Sequence, residues 1–274
     1  MSLFPSSRRR RLGGAAALAL TLTASPSPAG TIGFSIDTTV TTGPGVRLEI
    51  RVTHTGDEAA REVRPTVLLG DRAVRGDKLE ILRPGASHVW DVPVQRPNLP
   101  PGHYVIVTRL GYADANAYPF EVLAASPFDV GSRTAMQRRG TLAVPAIEGN
   151  GSAHVKLSLQ TPKDTRDPVD VRIIAPTGLR IARDRFTLEP GANGRAEAEF
   201  GITNRNILPG NRVEMLALVT GPAGEVRRTD VVRGIVRVVD PPDPVTVDLF
   251  VKILLALVVY LIVLELVAGR RHED

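Results

Sequence analysis

The stretch LRPGAS at residues 82–87 returns as LEPGAN at residues 188–193, which is 106 residues later. A second landmark, NLPPGHY at 98–104, returns as NILPGNR at 206–212, which is 108 residues later. Two landmarks with nearly the same offset indicate an internal repeat. In each copy a Pro-Gly pair suits a tight turn, because proline fixes φ and glycine tolerates positive φ. We therefore predict structural turns at these motifs rather than binding sites.

The segments before these turns alternate between apolar and polar residues. VRLEIRVT at 46–53 aligns with VKLSLQT at 155–161, and both have a period of two. This alternation is typical of a strand with one face on a core and the other in water. Further predicted strands share the pattern, at 66–69, 89–94, 104–110, 118–123, 169–174, 195–202, 213–219 and 231–238.

Short strands separated by turn motifs favour antiparallel sandwiches, and about a hundred residues is the usual size of one. We predict an all-β fold of two tandem immunoglobulin-like antiparallel β-sandwiches, the first at residues 30–125 and the second at 126–239. The joint between them is expected at Ala125-Ser126-Pro127.

Residues 1–29 have the layout of a secretory signal peptide. A basic run at 8–11 precedes a short apolar stretch at 12–24, which ends in a region of small residues. The apolar stretch is too short to cross a bilayer, which takes about twenty residues. We expect cleavage after Ala29. A twin-arginine export signal is the second interpretation of the same arginines.

A second apolar segment lies near the C-terminus, where residues 249–267 read LFVKILLALVVYLIVLELV. It lacks the polar stripe of a core helix. We predict one transmembrane helix at 248–268, a Pro-rich stalk at 240–247 before it and a cytoplasmic tail at 269–274 after it. The arginines that follow the span place the tail in the cytoplasm. The expected location is the inner or cytoplasmic membrane, with the body in the periplasm or on the exterior.

Lys252 and Glu265 are ionisable residues within the predicted span. At 100° per residue they lie about 220° apart around a helix, so they do not share a face. In one interpretation both side chains extend to the nearest interface and stay solvated. In the other, intramembrane pairing joins one of them to an opposite charge in a partner's membrane helix, since unpaired charges inside a bilayer are costly.

The net charge of +5 and the pI near 9.9 suggest a nucleic-acid partner at first sight. Four of the 34 basic residues lie in the predicted signal peptide, however, so the mature chain keeps 30 basic and 29 acidic residues. No basic patch remains, and we expect no nucleic-acid partner. The chain also has no cysteine, which excludes disulfides, thiolate metal sites and cysteine nucleophiles.

The residues that mark the two predicted domains resemble bacterial immunoglobulin-like envelope modules. The first domain is similar to the cell-adhesion-related (CARDB) type in VTHTG at 52–56, LRPG at 82–85 and GHY at 102–104. The second is similar to the alpha-galactosidase-associated (NEW3) type in APTGL at 175–179, LEPG at 188–191 and LPG at 208–210. The resemblance implies binding or spacer modules without catalytic residues, and it implies no particular ligand.

The sequence contains no catalytic triad, metal-ligand spacing or cofactor loop. The five histidines are scattered, and we interpret them as surface or turn residues. We therefore predict no catalytic residue, no metal site and no cofactor. An enzyme is the least favoured of three hypotheses.

The segment YADANAYPF at 112–120 has the composition of a hairpin tip between two strands. Tyr112 and Tyr118 are expected to be cross-strand neighbours on a hairpin that extends outward. With Asp114 and Asn116 they form a candidate partner-contact site for a protein or a sugar face. The alternative interpretation is an aromatic pair that only stiffens the hairpin.

These features predict a non-enzymatic, membrane-anchored extracytoplasmic interaction or scaffold protein, an accessory subunit of a bacterial envelope complex with a protein partner. The alternative is a carbohydrate-binding accessory protein in envelope polysaccharide synthesis or export. An aromatic content of 4% disfavours a glycan ligand, because sugar sites rely on exposed aromatic rings.

Overall fold

The computed structural model describes residues 30–42, 46–94, 99–131, 138–162, 167–224, 226–241 and 244–270. Apart from Gly30, these residues belong to the compact unit that begins at Thr31. Within them the chain is mostly β, with seventeen strands and one α-helix. The predicted signal peptide at 1–29 lies outside the described residues.

Strands β1 to β8, which we call the first lobe, form two facing layers. One layer has the order β1-β2-β6, and the other contains β3, β4, β5, β7 and β8. Leu48, Ile50 and Val52 of β2 are fully buried between the layers, and the residues between them are exposed. The strand bounds are β1 Phe34–Thr42, β2 Val46–His54, β3 Ala60–Leu69, β4 Arg72–Arg75, β5 Leu79–Leu82, β6 Ser87–Val94, β7 Gly102–Ala113 and β8 Pro119–Val130.

Strands β9 to β17, the second lobe, repeat this arrangement. A layer with the order β13-β15-β11-β9 faces a layer with the order β14-β12-β16-β17, to which β10 adds beside β17. The strand bounds are β9 Arg139–Ala143, β10 Ile147–Glu148, β11 Ser152–Gln160, β12 Val169–Ile174, β13 Leu179–Ile181, β14 Arg185–Leu188, β15 Arg195–Asn204, β16 Arg212–Ala223 and β17 Val226–Val239.

The strand pairings show that the sequence repeat is a structural repeat. Strand β2 pairs with β6 as β11 pairs with β15, and β3 pairs with β7 as β12 pairs with β16. The long hairpin of β7 and β8 corresponds to that of β16 and β17. The strands predicted from alternation fall within these elements, except that Tyr118 and Thr161 each lie one residue outside a strand. The β-sandwich prediction is thereby confirmed in its coarse form.

The repeated turns use their glycines differently. Gly85 has φ +73° and Gly210 has φ +84°, as predicted for turn glycines. Gly191, in contrast, does not have a positive φ, and Gly194, three residues later, takes that role with φ +73°. The prediction that Gly191 supplies the left-handed residue is therefore wrong, because the second turn closes later in the chain.

The two lobes pack against each other through one sheet of each lobe, which we call the middle sheets: the β3, β4, β5, β7 and β8 layer of the first lobe and the β14-β12-β16-β17 layer of the second. The contact is made by the outer faces of these sheets, which point away from the core of their own lobe. Leu68, Val105 and Val107 of the first lobe form a buried cluster with residues of the second lobe, among them Leu216 and Leu218. Strands β7 and β17 also pair in parallel at two positions, Gly102 with Arg227 and His103 with Arg228. The lobes are therefore joined by both an apolar contact and a short ladder.

The predicted joint at residues 125–127 lies inside strand β8. Among the described strands β8 pairs only with β7, so the other edge of β8 forms no ladder. Proline, which has no N–H to donate, is tolerated in such an edge strand. The proline therefore does not mark a linker, and the strand passes through the predicted boundary without a break.

Helix α1 spans Pro244–Arg270, so its first turn takes up the end of the predicted stalk. Proline is compatible with the first turn of a helix, where its missing N–H has no partner in any case. The side chains of α1 are described over residues 248–262. Among the described residues, no helix meets the length and apolarity needed to cross a membrane. The predicted span at 248–268 stays a prediction.

We expect Gly102→Ala to destabilise the chain, because a Cβ at residue 102 would lie 2.5 Å from the Arg227 carbonyl oxygen across the lobe-joining ladder. Forcing atoms into such a contact typically lowers the free energy of unfolding by about 1–3 kcal/mol. The matched control is Gly111→Ala in the same strand, where the nearest atom is 3.9 Å away. Urea denaturation in detergent measures both, and equal effects of the two variants would contradict the close contact.

Candidate functional site

The turn between β7 and β8 is held together by Asp114. Its Oδ1 accepts hydrogen bonds from the N–H groups of Asn116, at 2.9 Å, and Tyr118, at 2.8 Å. The Ala115 N–H donates to Oε1 of Glu58 at 3.0 Å. The Asp114 carboxylate therefore organises the turn, as aspartate commonly does. Of the four predicted contact residues only Asn116 is exposed, and the other three are half-buried.

Tyr112 belongs to the core of the first lobe. Its cross-strand neighbour is Phe120 and not Tyr118, so that prediction is wrong: strand pairing ends at Ala113 with Pro119 and leaves Tyr118 in the turn. The Tyr112 ring lies 5.6 Å from the Phe120 ring and 4.9 Å from the Phe34 ring, centroid to centroid. Burial raises the pKa of Tyr112 to about 12. An exposed two-tyrosine platform for a sugar is not formed.

Tyr118 contacts the second lobe. Its hydroxyl donates to the Asn206 carbonyl oxygen in the loop between β15 and β16. A cleft of ≈290 Å³ lies beside this contact, lined by Tyr118, Pro176 and Ile207 among others. The hairpin therefore lies against the neighbouring lobe, and the expectation that it extends outward is wrong. The reason is the packing between the lobes, which brings the two loops together.

Polar contacts flank the apolar cluster between the lobes. Arg109 donates from Nη2 to the Ala175 carbonyl oxygen at 3.0 Å, and the Thr177 N–H donates to Oε2 of Glu121 at 2.7 Å. The Arg109 Nε lies 3.8 Å from the same Glu121 oxygen. Because these side chains are largely buried, the contacts specify the orientation of the lobes more than exposed ion pairs would.

A larger cleft, of ≈620 Å³, lies at another part of the junction between the lobes. Arg172 and Arg185 meet the Asp71 carboxylate there, with Nη1-to-Oδ1 distances of 3.6 Å and 2.8 Å. Arg172 also donates to the Gly70 carbonyl oxygen. Burial, and next the charge of Arg185, lower the pKa of Arg172. Sequence reasoning missed these residues, because Asp71 lies in a different repeat from the two arginines.

A second ion pair lines the same cleft. Arg227 Nη2 lies 3.2 Å from Oδ2 of Asp170, and the Thr187 hydroxyl donates to the other oxygen of Asp170 at 3.1 Å. Both charged side chains are mostly exposed. Among the described residues that line the cleft, three are arginines and two are aspartates.

A buried cluster of charges lies in the second lobe. Arg228 Nε is 2.7 Å from Oδ1 of Asp230, and Arg138 Nη1 is 3.6 Å from its Oδ2. Burial lowers the pKa of Arg138, and the charge of Asp230 acts in the opposite direction. The sequence carries a signal for this cluster that was missed: Arg228 and Asp230 occupy the buried phase of the alternating strand β17.

The histidines do not share one environment. His54 is only 1% exposed and ends strand β2, where its Nδ1 accepts a hydrogen bond from the Gly56 N–H at 3.1 Å. Its interpretation as a surface or turn residue is therefore wrong. His103 Nδ1 lies 2.7 Å from Asp129 Oδ1 across the β7–β8 ladder. Within the described part of the chain, no three His, Asp or Glu side chains are placed to hold a metal ion.

Lys252 is paired within its own helix. Its Nζ lies 2.5 Å from Oδ2 of Asp248, one helical turn earlier. The side chain of Glu265 lies outside the described residues. Intramembrane pairing of Lys252 or Glu265 with a partner helix stays a prediction.

No protein-family model matches the chain, and no curated protein matches it. Eighty-seven chains of known structure do match. Native Escherichia coli alpha-2-macroglobulin has 13% identity and a TM-score of 0.31, over 76% of this chain and 17% of that one. A Porphyromonas gingivalis protein of unknown function has 11% identity and a TM-score of 0.27, over 74% of this chain and 99% of that one.

A chaperone and tip-adhesin complex of Acinetobacter baumannii Csu pili also matches, with 8% identity and a TM-score of 0.23, over 71% of this chain and 92% of that one. Likenesses at these TM-scores carry no argument about function. The resemblance to CARDB and NEW3 modules stays a prediction.

The raised pKa of Tyr112 makes stability pH-dependent at high pH. The unfolded phenol ionises near its usual pKa of about 10, whereas the folded one ionises at about 12. Below pH ~10 the neutral Tyr112 side chain makes its full contribution to the stability of the fold. Between pH ~10 and ~12 the free energy of unfolding should fall by up to about 2 kcal/mol.

Tyr112→Phe should remove this fall, together with the last step of the tyrosinate absorbance titration. Tyr118→Phe is the control and should keep that step. A late step that survives in Tyr112→Phe would show that another tyrosine is responsible.

Asp230→Asn should leave two buried guanidinium groups without their carboxylate. Breaking a buried ion pair in this way typically lowers the free energy of unfolding by about 3–5 kcal/mol. The control is Asp91→Asn, which removes an exposed pair with Arg47 at 3.2 Å and should cost less than about 1 kcal/mol. Thermal melts of both variants measure the difference, and similar melting temperatures would argue against a structural role for the buried cluster.

Proposed function

We propose that this chain is a non-catalytic, membrane-anchored interaction protein of the bacterial envelope, with two immunoglobulin-like sandwiches as its extracytoplasmic body and α1 as its single membrane helix. In this proposal the chain is an accessory subunit that joins a partner protein at the membrane.

The exposure of helix α1 is the observation that carries the proposal. Its large apolar side chains from Leu249 to Ile262 are each at least 46% exposed, and none belongs to a core cluster of the two lobes. Successive residues turn by 100°, so these side chains cover the whole circumference of the helix. A helix that is apolar on all sides is stable in an apolar environment and not in water. The acyl chains of a bilayer provide such an environment.

The packing of the body supports an interaction role over a flexible spacer. The lobes share an apolar cluster and a parallel ladder, so they present their loops in a fixed relation to each other. A binding surface that spans both lobes is then pre-organised, which lowers the entropy cost of association.

Membrane anchoring is tested by carbonate extraction of bacterial membranes that contain the full chain. The wild-type chain should stay in the pellet. The double variant Leu254→Arg with Leu257→Arg should move to the supernatant, because each arginine at the centre of a span costs about 2.5–3.5 kcal/mol. Ile235→Arg, at a body residue that is 57% exposed, is the matched control and should stay in the pellet. Release of the wild-type chain by carbonate would refute the anchor.

The orientation can be measured with single cysteines, because the chain has none of its own. Ser87→Cys places a thiol on an exposed position of β6 in the body. An impermeant maleimide added to spheroplasts should label this thiol and should not label a cysteine appended after Asp274. The reverse pattern would place the body in the cytoplasm.

The partner is tested by crosslinking the membranes and purifying the chain in mild detergent. We expect a crosslinked partner protein, and a monodisperse monomer without one would count against the proposal.

A further inference from the structure

Two arginines face each other across neighbouring strands of the second lobe. Arg172 in β12 is the register partner of Arg185 in β14. Like charges at directly opposite positions destabilise a sheet. An anion between the two guanidinium groups relieves this repulsion, and carboxylates suit the planar fork of arginine.

The first lobe supplies such an anion. Gly70 and Asp71 form the two-residue turn between β3 and β4. Asp71 Oδ1 lies within ion-pair distance of both arginines, and the Gly70 carbonyl oxygen accepts a hydrogen bond from Arg172. The arginine pair therefore already holds a peptide carbonyl together with the carboxylate of the next residue.

This internal contact is exchangeable. The Asp71 side chain is 78% exposed and that of Arg185 is 54% exposed, whereas that of Arg172 is 25% exposed. Exposed ion pairs contribute only about 0–1 kcal/mol, since water screens them and ordering the side chains costs entropy. A carboxylate from another molecule can replace Asp71 without a large loss of stability.

The surroundings of the pair suit an extended chain. The cleft of ≈620 Å³ continues from the arginine pair to Arg227 and to the apolar side chains of Leu99 and Val105. Strand β14 is the end strand of its sheet among the described strands, so its outer edge has backbone groups without a ladder partner. Such an edge accepts an added strand through main-chain hydrogen bonds.

We propose that this cleft binds an acidic peptide segment of a partner protein, whose carboxylate takes the place of Asp71 between Arg172 and Arg185. The occupant is a peptide because the internal segment it replaces is bound through both its main chain and its carboxylate. The inference rests on the proposed role as an interaction protein and gives the chemistry by which the partner is recognised.

The test uses the full chain in detergent micelles and a fluorescein-labelled peptide with the sequence LLGDRA, which copies residues 68–73. Fluorescence anisotropy measures binding. Asp71→Asn removes the internal competitor. The apparent affinity should rise about tenfold over wild type, because the wild-type site is available only in the fraction of molecules in which Asp71 has left it. Both peptides are amidated at the C-terminus, so that the Asp side chain is the only carboxylate of the LLGDRA chain. The peptide LLGNRA, which lacks that carboxylate, should not bind.

The arginine pair is tested in the Asp71→Asn background. Adding Arg185→Gln should weaken binding by about tenfold or more, since the carboxylate loses a charged donor. Adding Arg180→Gln, at an exposed position on the other sheet of the same lobe, should leave binding unchanged. Thermal melts show whether each variant is folded.

Four results would overturn the proposal. Three of them are no peptide binding by folded Asp71→Asn, equal binding of LLGNRA, and binding that Arg185→Gln does not weaken. The fourth is competition by oligogalacturonate or inorganic phosphate at the same concentration as the peptide, since the site would then be a general anion site. Carbonate extraction does not involve this cleft. Failure here therefore leaves the membrane anchor in place, and failure of the anchor leaves the cleft in place.

Discussion

The apolar contact between the outer faces of the two middle sheets determines the rest of the structure. A free-standing sandwich has polar outer faces. Here the outer faces carry apolar side chains that are buried against each other, Val105 and Val107 from the first lobe and Leu216 and Leu218 from the second. Burying them fixes the orientation of the lobes and brings together loops that are far apart in the sequence. The contacts of Tyr118, the ladder at Gly102 and both clefts follow from this packing.

Much of the strand structure could be predicted from alternation and from the repeat, since each lobe buries one face of a strand such as β2. The contact between the lobes leaves another signal. Residues 105–108 and 215–219 are buried without interruption, as strands covered on both faces are. In the sequence these stretches read VIVT and MLALV, apolar runs among alternating strands. The glycines show the limit: Gly102 is needed for space and Gly85 for its φ, and the local sequence does not distinguish these reasons.

The candidate site could not be predicted from sequence, because its charges come from separate parts of the chain. Asp71 and Arg172 are about a hundred residues apart and meet only through the lobe packing. The prediction that the β7–β8 hairpin extends outward was wrong for a related reason. The local composition identified the turn correctly, but it contains no signal that the other lobe covers one side of the turn. Arg228 and Asp230 are different, since a charged residue on the buried phase of a strand is a signal that a single sequence contains.

The apolar packing of the junction also determines how the large cleft can respond to a ligand. Opening the lobes would expose the apolar cluster, at about 25 cal/mol for each Å² of apolar surface. Moving Asp71 breaks its contact with the mostly exposed Arg185 and its longer contact with the more buried Arg172. A ligand therefore displaces the Gly70-Asp71 turn more easily than it separates the lobes. A ligand of the arginine pair would therefore change the position of Asp71 and leave the packing between the lobes unchanged.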